Sequence, residues 1–152
     1  MSSFLTRADA LKAYLSRVVG LESMTIEVER PKNLPSEFIK ATKKKKGLGM
    51  ITWNGARNND RNAYPLRLTC SYNISLIVKP SLRGSAPPLD DLAELAAQAI
   101  HHWSPNPSSP TAHQTRFEVL DVDKVEEGEV AAVMIVAESV VQLPKIEITL
   151  TP

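Results

Sequence analysis

The stretch LRLTCSYNISLIVK, residues 66–79, limits what this chain can fold into more than any other. Leu66, Leu68, Cys70, Tyr72, Ile74, Leu76 and Val78 alternate with Arg67, Thr69, Ser71, Asn73, Ser75, Ile77 and Lys79, and only Ile77 breaks the polar side. A period of two sends successive side chains to opposite faces, so the run predicts a strand with one face on a core and the other on water or a polar partner. At about 14 residues it exceeds the usual strand length, which suggests a strand that projects past the body of the domain.

Such a strand needs a cover, and two segments offer amphipathic helices. Thr6 is a suitable N-cap with Asp9 in the first turn, and Ala8, Leu11, Leu15, Val18 and Val19 follow at roughly helical spacing until Gly20. LDDLAELAAQAIHHW, residues 89–103, sets Leu92, Leu95, Ala96, Ala99, Ile100 and Trp103 on one stripe with acids in its first turn, before SPNPSSP stops it.

Further strands are predicted at MTIEVER, where Met24, Ile26 and Val28 alternate with Thr25, Glu27 and Glu29, and at LGMITW. NGARNNDRN after it reads as a turn or loop, as does the lysine-rich 32–47 segment, which has room for a short helix near 36–43. Three more strands are expected at 116–122, 129–141 and 146–150, with EEGE turning between the first two as a hairpin. The 129–141 run is apolar on both sides, because Val130, Ala132, Met134 and Val136 are matched by Ala131, Val133, Ile135 and Ala137. One face suits the helices, and the other suits the rest of the domain or a neighbouring subunit. The fold class that follows is α/β (α+β): a mixed, largely antiparallel sheet packed by two main helices, with a long projecting strand or hairpin, in a single domain over 1–152.

With 43% hydrophobic but only 5% aromatic residues, the core must be mainly aliphatic, and eleven prolines against six glycines predict stiff connections. Cys70 has no cysteine to pair with and the first residues lack a signal-peptide pattern, so a reducing cytoplasm is expected. No apolar run reaches the roughly 18 residues that span a bilayer, so a soluble protein without a membrane partner is expected.

The formal net charge of +1 conceals a split. Residues 1–62 carry 12 Lys and Arg against 6 acids, and residues 63–152 carry 6 against 11. Opposite halves suit head-to-tail contacts between copies or stacked contacts with other subunits.

Signatures of catalysis are missing: there is no GxGxxG, GxxxxGKS/T, HExxH or GxSxG. His101 and His102 would point about 100° apart on a helix, and His113 lies beyond the prolines with no thiolate or carboxylate at metal-site spacing. A structural role is predicted for them, and a buried, inert one for Cys70 on the apolar side of its strand. Lys43, Lys44, Lys45 and Lys46 invite three readings: a solvated loop, a phosphate contact joined by Arg57 and Arg61 with Trp53 nearby to stack a base, or a contact with an acidic subunit.

Taken in order, helix, strand, basic loop, strand, long strand, helix ending in Trp103 and Val/Ala-rich strands resemble the tail terminator, or tail completion, proteins of tailed bacteriophages, in particular the Mu-like contractile-tail group. The stretches ALKAYLSRVVGLESMTIEV, YNISLIVKPSLRG and LDDLAELAAQAIHHWSP carry the likeness. It implies a structural protein of the virion tail, assembled in the host cytoplasm, without catalytic residues, cofactor or metal. Its implied form is a homohexameric ring that caps the tail tube, touches the last layer of sheath protein, joins the head–tail connector protein and can surround genomic DNA. Lys43, Lys44, Lys45, Lys46, Arg57, Arg61 and Arg83 are then candidates for contact with tube, connector or DNA, and Val133, Ile135 and Ile77 for contact between subunits. The alternative is a nucleic-acid-binding accessory protein that uses Lys43 to Lys46 with Arg57 and Arg61.

Overall fold

The computed structural model describes residues 2–30, 47–78, 88–127 and 130–152. Its elements are α1 (Ser3–Leu15), β1 (Met24–Val28), β2 (Gly47–Arg57), β3 (Arg67–Val78), α2 (Leu89–Ile100), α3 (Ala112–Thr115), β4 (Glu118–Glu127) and β5 (Val130–Gln142). The strands form one sheet in the order β1-β2-β3-β5-β4. Only β1 and β2 run parallel; every other neighbouring pair is antiparallel. The α+β class is the one that the sequence predicts.

The alternation in β3 survives intact, with Cys70, Tyr72, Ile74, Leu76 and Val78 buried and their neighbours half-buried. Its length has a different use from the expected projection. β5 pairs with it at every position from Arg67 to Val78 and β2 flanks its other edge, so the extra residues build the centre of the sheet. A central strand gains ladder bonds on both sides, which is what a long regular strand can supply.

Four other expectations shift. Helix α1 begins earlier, because Ser2 rather than Thr6 is the N-cap: its Oγ accepts from the Leu5 N–H at 3.2 Å, and the Thr6 hydroxyl donates back to the Ser2 carbonyl. The helix also stops at Leu15, leaving Val19 84% exposed. Strand β2 runs on through Asn54, Gly55, Ala56 and Arg57, which the sequence reads as a turn. A register shift between Trp53 and Ala56 absorbs that stretch as a bulge, and Gly55 takes the positive φ of 109° that a side chain would resist.

The last shift concerns 146–150, where no strand forms. The Leu143 N–H extends the antiparallel ladder one step to the Leu66 carbonyl at 2.8 Å. Pro144 follows with no N–H to donate, and pairing ends there.

Both long helices lie on one face of the sheet. Ala8, Leu11 and Leu15 of α1 and Leu92, Ala93, Ala96 and Ile100 of α2 close over Ile26, Ile51, Tyr72, Ile74, Leu76, Val133 and Ile135. Each large aliphatic buried there contributes about 1.5–3 kcal/mol before conformational entropy is deducted. Asp91, Glu94 and Gln98 stay on the wet side of α2, as its stripe predicts.

Candidate assembly surface

Register assigns every strand residue to the helix-covered face or to the opposite one. On the opposite face Ile77 stands beside Leu48 of β2 and Ala132 of β5, Ser75 beside Met50 and Met134, and Asn73 beside Thr52 and Val136. Leu48 and Met50 form a small buried cluster of their own, separate from the main core. Ile77, Ala132, Met134 and Val136 are half-buried, and among the described residues no helix lies over them. Further along, the same face turns polar through Ser71, Thr69, Glu138 and Arg57.

The proposed subunit contacts therefore divide. Ile77 is on the open face. Val133 and Ile135, 4% and 0% exposed, point the other way into their own chain's core beneath α2. The two-sided apolar pattern of β5 announces one internal and one external face without saying which is which. The alternates Ala132, Met134 and Val136 occupy the external one.

The basic candidates divide as well. Lys43, Lys44, Lys45, Lys46 and Arg83 lie outside the described residues. Arg57 ends β2 on the open face, where its Nη2 donates to Glu138 Oε1 at 2.6 Å across the sheet. That ion pair cancels most of the charge Arg57 would offer a phosphate. Arg61 is exposed in the loop between β2 and β3. Glu138, the one acid in an otherwise apolar strand, was the available signal of this pairing.

The covered side holds a group of interacting titratable side chains, Arg7, Cys70 and Tyr72. Arg7 of α1 reaches over the end of the sheet, where its Nη1 donates to the carbonyls of Thr115 and Val140 at 3.0 and 3.1 Å and to the Ser139 hydroxyl. Ser139 in turn donates to the Thr115 carbonyl at 2.9 Å. Burial lowers the pKa of the Arg7 guanidinium from its ordinary value. Burial likewise raises the thiol of Cys70 and the phenol of Tyr72, with Cys70 adding to the latter. A thiol pushed up in this way is less of a nucleophile at neutral pH, and the Tyr72 hydroxyl is committed to the Phe4 carbonyl at 2.8 Å. Arg7 joins α1, α3 and β5; it went unnoticed in the sequence, where it stands beside the apolar stripe of α1.

The histidines differ from expectation in geometry. They follow α2 rather than belonging to it, with His101 as its C-cap and His102 at φ 65°, and their rings stack at 4.0 Å. His101 Nδ1 accepts the Val119 N–H at 3.0 Å, which fixes the start of β4. No group of three or more His, Cys, Asp or Glu among the described residues is placed to hold a metal. No helix among them is long and apolar enough to cross a membrane.

The chain matches no known protein family and no curated relative.

Proposed function

We propose that the chain is the ring-forming terminator of a contractile phage tail, a structural protein that caps the tail tube and its last sheath layer and joins them to the head–tail connector. The observation that carries this reading is the sheet face opposite α1 and α2, over which no helix lies among the described residues, with Leu48 and Met50 on it 3% and 7% exposed. By register Ile77 and Ala132 continue an apolar patch with Leu48; Met134 and Val136 stand between Ser75 and Asn73 of β3 and Asp123 and Asp121 of β4, and the far end is ion-paired. Apolar residues interleaved with polar ones are the composition of a non-obligate protein contact. The opposite charges of the two halves of the sequence give identical copies a reason to meet head to tail, and a heterologous contact that closes makes a ring. The order of segments supplies the rest, through its resemblance to tail terminators.

The nucleic-acid alternative is weaker for Arg57, which Glu138 already engages. Light scattering and negative-stain imaging of the purified chain test the choice. Six-membered rings that stop the growth of tail tubes built from the same genome's tube protein are the expected result. A monomer at every concentration, with salt-sensitive affinity for DNA, overturns the reading in favour of the alternative.

A further inference from the structure

Residues 144–152 leave the sheet, and 146–150 carry the pattern of a strand that pairs with none among the described residues. Ile146, Ile148 and Leu150 alternate with Glu147 and Thr149, and are 73%, 70% and 83% exposed. Three consecutive same-face aliphatics left in water are costly for one chain and useful to an assembly.

A receiving edge exists on the same molecule. Among the described residues β4 is the last strand of the sheet on one side, and beside it a cleft of about 400 Å³ opens between β4 and α2, with Val122, Val133, Ala93 and Ala97 as its apolar lining and Asp90, Glu94, Gln98 and Lys124 as its polar one. A strand laid along β4 would direct every second side chain into this cleft, and the spacing of Ile146, Ile148 and Leu150 fits that demand. Val122 donates its N–H to the Asp121 carboxylate at 2.9 Å, a local bond that an incoming carbonyl can replace. The cleft bears Asp90, Glu94 and Lys124, and the segment bears Lys145 and Glu147, so each side offers the other an opposite charge.

The other edge of the sheet, β1, carries an ion pair across it. Glu27 of β1 lies on the open face by register with Met50, while Lys12 lies on α1 across the sheet; their 2.9 Å ion pair therefore wraps around the β1 edge.

The segment cannot serve its own β4. Val122 pairs with Ile135, eight residues back along β5 from Leu143, a distance of roughly 27 Å at strand rise. Ile148 is five residues beyond Leu143, so it reaches at most roughly 18 Å. The root also heads away from β4: Leu143 bonds to Leu66, and Lys145 Nζ sits 4.7 Å from the Tyr64 ring, both on the β3 side of β5.

We propose that the 146–150 segment of one copy adds as a sixth strand to the β4 edge of a second copy, with Ile146, Ile148 and Leu150 seated in the cleft between β4 and α2. This deepens the ring reading and rests on it, since donation from each copy to the next is a head-to-tail contact that closure turns into a ring.

The test uses the full chain. Ile146→Ser, Ile148→Ser and Leu150→Ser combined should leave the thermal midpoint of the monomer unchanged while abolishing assembly at concentrations where the parent assembles, and Val122→Lys in the cleft should do the same from the other side. Mixing an Ile148→Cys protein with a Val122→Cys protein under mild oxidation should give a disulfide between the two, which neither gives alone; Cys70 is buried and does not compete. If the parent forms rings and the triple-serine variant forms them equally well, strand donation is overturned and the ring stands. If the parent forms open chains that the triple variant abolishes, donation stands and the ring reading falls. A parent that is monomeric throughout, or a mixture of the two Cys proteins that gives no disulfide between them, overturns donation.

Discussion

The two faces of the five-stranded sheet are alike in β5 but unlike in β3, and only one of them lies beneath α1 and α2. On the face beneath α1 and α2, Tyr72, Ile74, Leu76, Val133 and Ile135 are closed off from water. On the other, Ile77, Ala132, Met134 and Val136 come from the same two strands, offset by one residue, and keep part of their surface exposed. Hydrophobicity thus distinguishes neither face in β5. What separates them is which side two amphipathic helices can reach: α1 precedes β1 directly and α2 follows β3, and both place their stripes on the same side. An apolar residue on the covered face is enclosed, and those opposite, Leu48 and Met50 apart, keep part of their surface in water.

The sharpest way to break this contrast is a charge in adjacent positions of β5. Ile135→Asp buries an unpaired carboxylate under α2 and should cost more than about 4 kcal/mol, seen as loss of the cooperative urea transition. Met134→Asp, one residue away, should fold with a loss below about 1 kcal/mol while weakening assembly. Equal damage to folding from both would show that the faces do not differ as described.

Truncation on the helix side gives the next largest effect. Leu92→Ala should destabilise by about 2–5 kcal/mol, because its side chain is enclosed between α2 and the sheet. A change below about 0.5 kcal/mol in the same titration would remove α2 from the core.

Alkali probes the covered face through Cys70 and Tyr72. Both groups have folded-state values raised above those of the unfolded chain, so their contribution is complete below the unfolded values and is lost as pH rises past them. The loss should begin near the ordinary thiol value of about 8.5 and grow beyond the phenol value of about 10. Urea midpoints measured on both sides of this window should fall more steeply for the parent than for Cys70→Ala with Tyr72→Phe. Parallel slopes would show that neither group is shielded.

The smallest effect belongs to the open face. Arg57→Ala removes a pair whose arginine is largely exposed, so stability should move by less than about 1 kcal/mol despite the 2.6 Å contact. Any DNA affinity of the chain should hardly change, since Glu138 holds the guanidinium; a marked loss of DNA binding would restore Arg57 to the phosphate-binding role.

The sequence by itself determined the elements that regular spacing encodes. The alternation in 66–79 fixed β3 and its buried side, the stripe in 89–103 fixed α2 and its wet side, and the pattern in 24–28 fixed β1, because a side chain's face depends only on local backbone period. Where an element ends was legible only in part: Pro144 announces a lost donor, yet the 146–150 run looks like any other strand until its lack of a partner among the described residues is seen. Only the tertiary structure decided that β3 is central, that Asn54 and Gly55 bulge within a strand instead of ending it, that Arg57 meets Glu138, and that Val133 and Ile135 belong inside while Met134 and Val136 do not. Each of these depends on what lies across a ladder or above a face, and such neighbours come from residues tens of positions away, whose placement no local period records.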